Sequence, residues 1–398
     1  MLAGSWAGNA FAGLAALLLI AIAYAYAGYP LAARWLVRRR EPALPPPGAE
    51  LPRATVLVAA RNEAGVIERR LRNLLDQDYP AGRLEVLVVS DASDDGTDEI
   101  VAGLGDPRVR LVRQPERRGK TAGINRIAPE ARGEVLVQTD ANVMFAPGAV
   151  AALARALLAP DAGVALGEVV FTNSDDPQVA SGEGLYWRFE TWTKRVEAER
   201  GLLAVANGGI YALRRELWRP LPAAIAGDAA EPLLAAREGF RTVIAPGALA
   251  YERAAATLRE EYRRKARIIG QQVACARWIG LASLPGRVLW AYASHKLLRY
   301  AVPALAALAV AAGFAGAALG SRAGAVLGAL PLAVLALAPL GLLRWPRALR
   351  LFGSALRIPL YLTVINVAAA AGAWRGLRGR AEASWDVPAS TRERVPGA

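Results

Sequence analysis

ATVLVAARNEAGVIERRLRNLL, residues 54–75, decides the fold of the middle of this chain. Small and β-branched apolar residues make a strand that ends at the polar Arg61, Asn62 and Glu63. Ile67, Leu71 and Leu74 then recur at helical spacing, which predicts an amphipathic helix over 64–77. The alternation repeats: LEVLVVS, VRLV and EVLVQT read as further strands, each followed by a loop and a helical stretch. Strands apolar almost throughout are covered on both faces, so the pattern predicts an α/β domain with a mostly parallel sheet. Ligands of such sheets bind outside the carboxyl ends of the strands. Every polar cluster of interest falls there, at 61–63, 91–97 and 140–142.

Outward from this domain the composition changes. The chain has 398 residues, 54% of them hydrophobic, and the apolar residues concentrate at its two ends. Residues 11–29 carry no charge and would span about 28 Å as a helix, enough to cross a bilayer. Arg34, Arg38, Arg39 and Arg40 follow this run instead of preceding it, which favours a retained anchor with a cytoplasmic C-terminal end over a signal peptide. EPALPPPGAELP is a stiff linker. After residue 252 the chain is basic and amphipathic, then come apolar runs at 300–319, 323–343 and 356–374 and a polar tail. The chain therefore divides into an anchor (1–33), a linker (34–52), a cytoplasmic catalytic domain (53–255), interface helices (256–299), a C-terminal region of three apolar segments (300–374) and a tail (375–398). Hydropathy puts three crossings in the C-terminal region and the tail outside, after RWPRALR inside; the arginines at 375, 378 and 380 prefer the inside.

Several chemistries are excluded. Cys275 and His295 are the only residues of their kinds, so intramolecular disulfides and Cys/His zinc sites are impossible. AARNEAG stands where a dinucleotide fold needs G-x-G-x-x-G. DASDDGTDEIVA begins like a calcium loop but has Ala102 where a bidentate Glu is required. The net charge of +13 clusters beside apolar runs, which anionic lipid and the positive-inside rule explain without nucleic acid. Chemistry here runs on carboxylates, Lys, Arg and oxygen-ligated metal.

The order of the remaining motifs resembles the membrane-integrated branch of the family 2 glycosyltransferases, which includes polysaccharide and chitin-oligosaccharide synthases. VLVAARNEAGVIERRLRNLLDQDYP is similar to the family's opening strand, turn and helix, and VVSDASDDGT to its acidic second-strand loop. RRGKTAGIN matches a Gly-Lys…Asn element, TDAN stands at the D-x-D position, and SGEGLYWRFE and ANGGIYALRRELW look like acceptor-side segments. GDAAEPLLAAREGFRTVIAPGALAYE stands where the family carries a catalytic Glu-Asp pair. The resemblance covers about residues 52 to 270 with the flanking spans. It implies an α/β GT-A domain, a nucleotide-diphospho-sugar transferase fold with a Rossmann-like mixed sheet, flanked by transmembrane helices.

The resemblance also implies roles. Arg61 and Glu63 belong to the donor side, Asp91 to the uracil N–H and Lys120 to the diphosphate; Asp91 could equally cap the helix that starts at Thr97. Asp140 is the metal carboxylate, with Asn142 offering an amide oxygen but no charge, and the cation is Mg2+ or Mn2+. Asp228 is the general base, Gly227 stands in the place of the first acid, and Glu231 is the alternative base; Asp228 could instead only cap its helix. The Gln-x-x-Arg-Trp motif of processive relatives is not intact: Arg264 and Arg267 remain for diphosphate or for anionic lipid, and Ile268 takes the Trp place. Trp187 or Trp192 could supply the missing aromatic platform.

These readings converge on an inverting, metal-dependent transferase of the inner membrane. It would move a sugar from a UDP-sugar to a lipid-linked or saccharide acceptor, adding one or a few sugars. The alternative is a non-catalytic subunit that binds nucleotide sugar and scaffolds a partner, a reading to which Asn142 and Gly227 contribute. No protein partner is named by the sequence.

Overall fold

The computed structural model describes residues 2–40, 49–172, 183–253, 257–343 and 350–383. Most of the Pro-rich linker, almost all of RWPRALR and the end of the tail lie outside the described residues.

The strands are β1 (Ala54–Ala60), β2 (Leu84–Asp91), β3 (Val109–Gln114), β4 (Val135–Asp140), β5 (Met144–Phe145), β6 (Ala162–Phe171), β7 (Ile210–Arg214) and β8 (Arg241–Glu252). They form one eight-stranded sheet in the order β3-β2-β1-β4-β7-β6-β8-β5. The first four are mutually parallel, as their apolar runs predict. Alternate residues of β1 pack on opposite faces: Val56 and Val58 against Ile67, Leu71 and Leu74, and Leu57 and Ala59 against Ile124 and Ile127. The second half is mixed, as the resemblance implies. Strand β7 runs antiparallel to both β4 and β6, while β6 and β8 are parallel. The chain order reverses between β1 and β4, so their carboxyl ends open a crevice there.

Four helical stretches are long and apolar enough to cross a membrane: 6–36, 286–318, 322–342 and 355–377. The first three pack through glycines. A Cβ on Gly8 would lie 2.8 Å from the Leu319 carbonyl oxygen, and one on Gly313 would lie 2.5 Å from Gly328, so only small residues allow these backbones to approach. The first two stretches each contain a π-turn, Tyr24–Gly28 and Ala293–Leu297, and these meet through Tyr24 Oη and Ser294 Oγ at 3.1 Å.

The last helix, Arg350–Leu377, bears on the path of the C-terminal region. It lies alongside the interface helix Leu258–Ile279 and runs in the same direction. Tyr361 Oη donates to Glu261 at 3.3 Å near one end, and Arg277 Nη1 donates to the Leu377 carbonyl at 2.5 Å near the other. Arg375, Glu382 and Ala383 line the same cavity as Asp140, so the tail begins on the face of the catalytic domain and not across the membrane from it. This placement agrees with the charge preference of the arginines, and the interface helix offers the apolar segment a protein partner.

A cysteine at Arg380, in a Cys275→Ser background, is expected to label with an impermeant maleimide on the same side as one at Asp94 and opposite to one at Arg322. Labelling of 380 together with 322 would contradict this topology.

Candidate active site

A cavity of about 680 Å³ opens at the carboxyl end of β4. It is walled by the helix Lys120–Ile127, the helix Gly227–Arg237, the end of β8 and the interface helix. That volume suits a nucleotide sugar, since small-ligand sites span roughly 300–1,000 Å³.

Asp140 ends β4, and its Oδ1 receives Lys120 Nζ at 2.5 Å, while the same ammonium reaches the Gly208 carbonyl at 3.4 Å. Behind the strand end sits the fully buried Arg70, whose Nη2 donates to Thr139 Oγ1 at 2.8 Å and whose guanidinium lies 4.2 Å over the Phe145 ring. Burial pushes Arg70 down to about 9, against the pull of Asp140. Thr139 Oγ1 donates in turn to the Gly209 carbonyl at 2.7 Å. Asn142 lines the cavity, and its carboxamide makes no hydrogen bond among the described residues. One carboxylate and one uncommitted amide oxygen are hard donors that fit Mg2+ or Mn2+, provided that a diphosphate completes the shell. Among the described residues no cluster of three acidic, His or Cys side chains could bind the ion alone.

Asp228 occupies the second position of the helix Gly227–Arg237, whose N-cap is Ala226 with no side-chain cap bond, so the capping reading does not hold. Its carboxylate accepts no hydrogen bond from any described residue and lines the cavity. Burial raises its pKa, and Lys120 and Lys194 partly counter that rise. Gly227 has a steric reason. A Cβ there would lie 2.6 Å from Tyr211 Oη, 3.2 Å from Gln138 Oε1 and 3.4 Å from Glu231 Cδ. The space beside Gly227 is therefore taken first by the Tyr211 hydroxyl, with Gln138 and Glu231 behind it. The two oxygens of Glu231 accept from Gln138 Nε2 at 2.7 and 2.9 Å. Burial raises Glu231 to about 7, opposed by hydrogen bonds from Tyr211 and Gln138. Of the two carboxylates in the cavity wall, Glu231 is held by Gln138, whereas Asp228 has no hydrogen-bond donor among the described residues.

Arg264 and Arg267 both line the cavity, so their side chains do not form a lipid-facing basic surface. Arg264 Nε is also held by Glu261 Oε2 at 2.9 Å, and burial lowers the pKa of Arg267 against the fields of Asp140 and Asp228. Ile268 lines the cavity as well. The expected aromatic stand-ins do not: Trp187 packs edge-on to Phe171 and Trp192 against Phe189, whereas Trp218 and Tyr262 are the aromatic side chains in the wall with Tyr211.

The nucleoside group is not in this cavity wall. Asp91 is buried and already accepts from Gln114 Nε2 at 2.9 Å, Arg118 N at 2.7 Å and Gly119 N at 2.9 Å. It thereby fastens the turn that leads into Lys120; at the start of the Thr97 helix it is Asp95, not Asp91, whose Oδ1 accepts from Thr97 N, at 3.1 Å. Glu63 is buried at the start of the opening turn, with its N–H held by Thr97 Oγ1 at 2.9 Å. Arg61, expected on the donor, instead donates to the carbonyls of Asp91 and Ala92, both at 2.7 Å, where Ala92 sits at φ 56°. The left-handed Ala92 turns these carbonyls towards the guanidinium.

Arg70, Gln138, Tyr211 and Glu252 belong to the site and were not anticipated. Arg70 was visible in one respect, since it falls on the same helical stripe as Ile67, Leu71 and Leu74.

The family described as Glycosyl transferase family 2 matches residues 55–219. The chain is 35% identical to the β-monoglucosyldiacylglycerol synthase of Trichormus variabilis over 100 residues, 24% of this chain and 21% of the relative. It is 26% identical to an N-acetylglucosaminyltransferase of Rhizobium meliloti over 235 residues, 54% of this chain and 55% of the relative. The matches thus span about a fifth and about half of the lengths of these relatives. A solved mannosyltransferase, PcManGT from Pyrobaculum calidifontis in complex with GDP-Man and Mn2+, is similar with TM-score 0.68 and 29% identity, over 93% of this chain and 99% of that one. Residues 55–219 carry a glycosyltransferase family 2 domain, and the fold is GT-A.

Gly227→Ala is expected to destabilise by about 1–3 kcal/mol, the usual cost of overpacking. Adding Tyr211→Phe removes the nearest atom and should recover part of that loss in thermal unfolding. A Gly227→Ala variant as stable as wild type would contradict the steric account.

Proposed function

We propose that this glycosyltransferase family 2 domain moves a sugar from a nucleoside-diphosphate sugar to an acceptor presented at the membrane, by direct displacement with inversion at the anomeric carbon. The observation that carries the proposal is a cavity holding a carboxylate, Asp228, without hydrogen-bond partners among the described residues, together with the Lys120–Asp140 pair at a strand end. The resemblance of the motifs suggests a UDP-sugar, whereas PcManGT holds GDP-Man. The name of the glucosyldiacylglycerol synthase supports a lipid acceptor. The positive-inside rule, applied to Arg34, Arg38, Arg39, Arg375, Arg378 and Arg380, supports a cytoplasmic catalytic face on the inner membrane.

An acceptor hydroxyl has a pKa far above neutrality and needs its proton removed as it attacks. Asp228 takes that proton while the hydroxyl oxygen bonds to the anomeric carbon. The bond from that carbon to the diphosphate breaks, and its electron pair leaves with the diphosphate. Lys120, Arg264 and Arg267, all in the cavity wall, meet the charge that builds there. Asp140 and Asn142 are the residues to hold a divalent cation, which when bound adds charge neutralisation at the leaving group. The crowding of Gly227 by Tyr211 gives its missing side chain a steric reason, which supports the transferase reading over the scaffold one.

The test is nucleoside diphosphate release and sugar transfer from labelled UDP- and GDP-sugars by the purified protein in lipid nanodiscs. Asp228→Asn is expected to lower the rate by roughly 10²–10⁴-fold with donor binding retained. Asp140→Asn or excess EDTA should cost about a thousandfold. Only ionised Asp228 can act as base and burial raises its pKa, so the rate should fall as pH drops, at a pH above the ordinary aspartate value. Because Ile268 lacks a flat face for sliding sugar, products should be short and organic-extractable. Full activity of Asp228→Asn, or a high-mass polymer, would contradict the respective assignment.

A further inference from the structure

The helix Glu183–Ala198 joins the catalytic domain to the membrane helices through buried charge. Glu190, Lys194 and Glu197 follow at one-turn spacing and are 5%, 8% and 2% exposed. Glu190 accepts from Arg299 Nη1 at 2.9 Å, from Lys296 Nζ at 2.5 Å, and meets His295 Nε2 at 3.0 Å. Glu197 meets His295 Nδ1 at 2.7 Å and accepts from Tyr29 Oη at 2.8 Å. Burial alone would raise Glu190, but His295, Lys296 and Arg299 hold it well below the usual carboxylate range. Both acids are thus fastened to the apolar stretches 6–36 and 286–318.

Lys194 lies between these acids in sequence but hydrogen-bonds elsewhere. Its Nζ donates to the Ala206 carbonyl at 3.3 Å and to Asn207 Oδ1 at 2.5 Å. The same turn borders the catalytic groups on its other side. Ala206 N donates to the Asp228 carbonyl at 2.8 Å, and a Cβ on Gly208 would lie 3.3 Å from Asp228 Oδ2. The Gly208 carbonyl receives Lys120, and the Gly209 carbonyl receives Thr139. Asn207 Nδ2 ties the turn to the Gly167 carbonyl at 3.2 Å. Burial pushes Lys194 down to about 8, and Lys296 adds to this, while Glu190 and Glu197 on its own helix and Asp228 on the facing helix favour the ammonium. A methionine would fill similar space without that desolvation cost, and would lose both hydrogen bonds and the positive field at Asp228.

We propose that Lys194 is a positioning residue for transfer: it fixes the turn 206–209 beside the Asp228 carboxylate and connects that turn, through the helix bearing Glu190 and Glu197, to the membrane helices. The catalytic part of this inference rests on the transferase reading of Asp228.

The experiment uses full-length Lys194→Met and Asn207→Ala in nanodiscs, with three readouts. Hydrogen exchange at 206–209 should speed up at least tenfold in both variants. In Lys194→Met, kcat should fall about thirtyfold while the donor KM stays within threefold. The acid limb of the rate should also move to higher pH, because the lost cation no longer lowers the Asp228 pKa; in Asn207→Ala, which keeps the ammonium, that limb should stay put. If Lys194→Met does not fold, faster exchange at 206–209 in Asn207→Ala with an unmoved acid limb supports the proposal, and unchanged exchange overturns it. Wild-type exchange and kcat in Lys194→Met overturn it directly. If wild type turns over no donor, the transferase reading falls, and the exchange data alone decide whether Lys194 holds the turn.

Discussion

The ion pair between Lys120 and Asp140 is the constraint around which the catalytic centre is organised. It brings the start of one helix to the end of the central strand β4, and it recruits the Gly208 carbonyl as a third partner. Asp91 serves this pair from a distance by fixing the turn before Lys120, and Arg70 serves it by locking Thr139 from below. Opposite charges in contact at a partly screened site stabilise each other by a few kcal/mol at most. The pair is therefore strong enough to preassemble the cavity and weak enough to exchange partners. On the proposed function, a diphosphate would draw the ammonium and the carboxylate would be left to hold a cation.

The floor of the cavity comes from outside the catalytic domain. Arg264, Arg267 and Ile268 sit on the interface helix, and Arg375 and Glu382 come from the segment that runs alongside it. Gly372 and Gly376 permit this contact, since any side chain at either would meet the backbone of Ala266 or Gly270. The site is thus closed only when the membrane-proximal layer is in place. Charges buried between Glu190, Glu197, His295 and Arg299 hold that arrangement at a second seam. Breaking one member of such a network is costly because it strands the others in low dielectric.

Much of this was legible in the chain. The parallel half of the sheet follows from strands that are apolar throughout, and Asp140 from a polar group at a strand end, whereas Lys120 and Asp228 were singled out by the resemblance of their motifs. What stayed hidden depended on contacts between distant segments. Gly227 read as a lost acid, and only the packing of Tyr211, Gln138 and Glu231 shows why no side chain fits there. Arg61 read as a ligand-facing cation, but backbone carbonyls turned outward by the left-handed Ala92 claim it first. The antiparallel insertion of β7 could not be read from its residues, because pairing direction is set by the connections. The path of the last helix was ambiguous, since an apolar stretch of this length can span lipid or cover another helix equally well.

The account is tested most directly by Mn2+ electron paramagnetic resonance on the purified protein, with and without a nucleoside diphosphate. With Lys120 on Asp140 and an uncharged Asn142, Mn2+ alone should bind weakly. With UDP or GDP present, the free-ion signal should fall at concentrations at least tenfold lower, and Asp140→Asn should abolish that gain. Equally tight Mn2+ binding without nucleotide, or no gain with either nucleotide, would contradict the exchange of partners at Asp140.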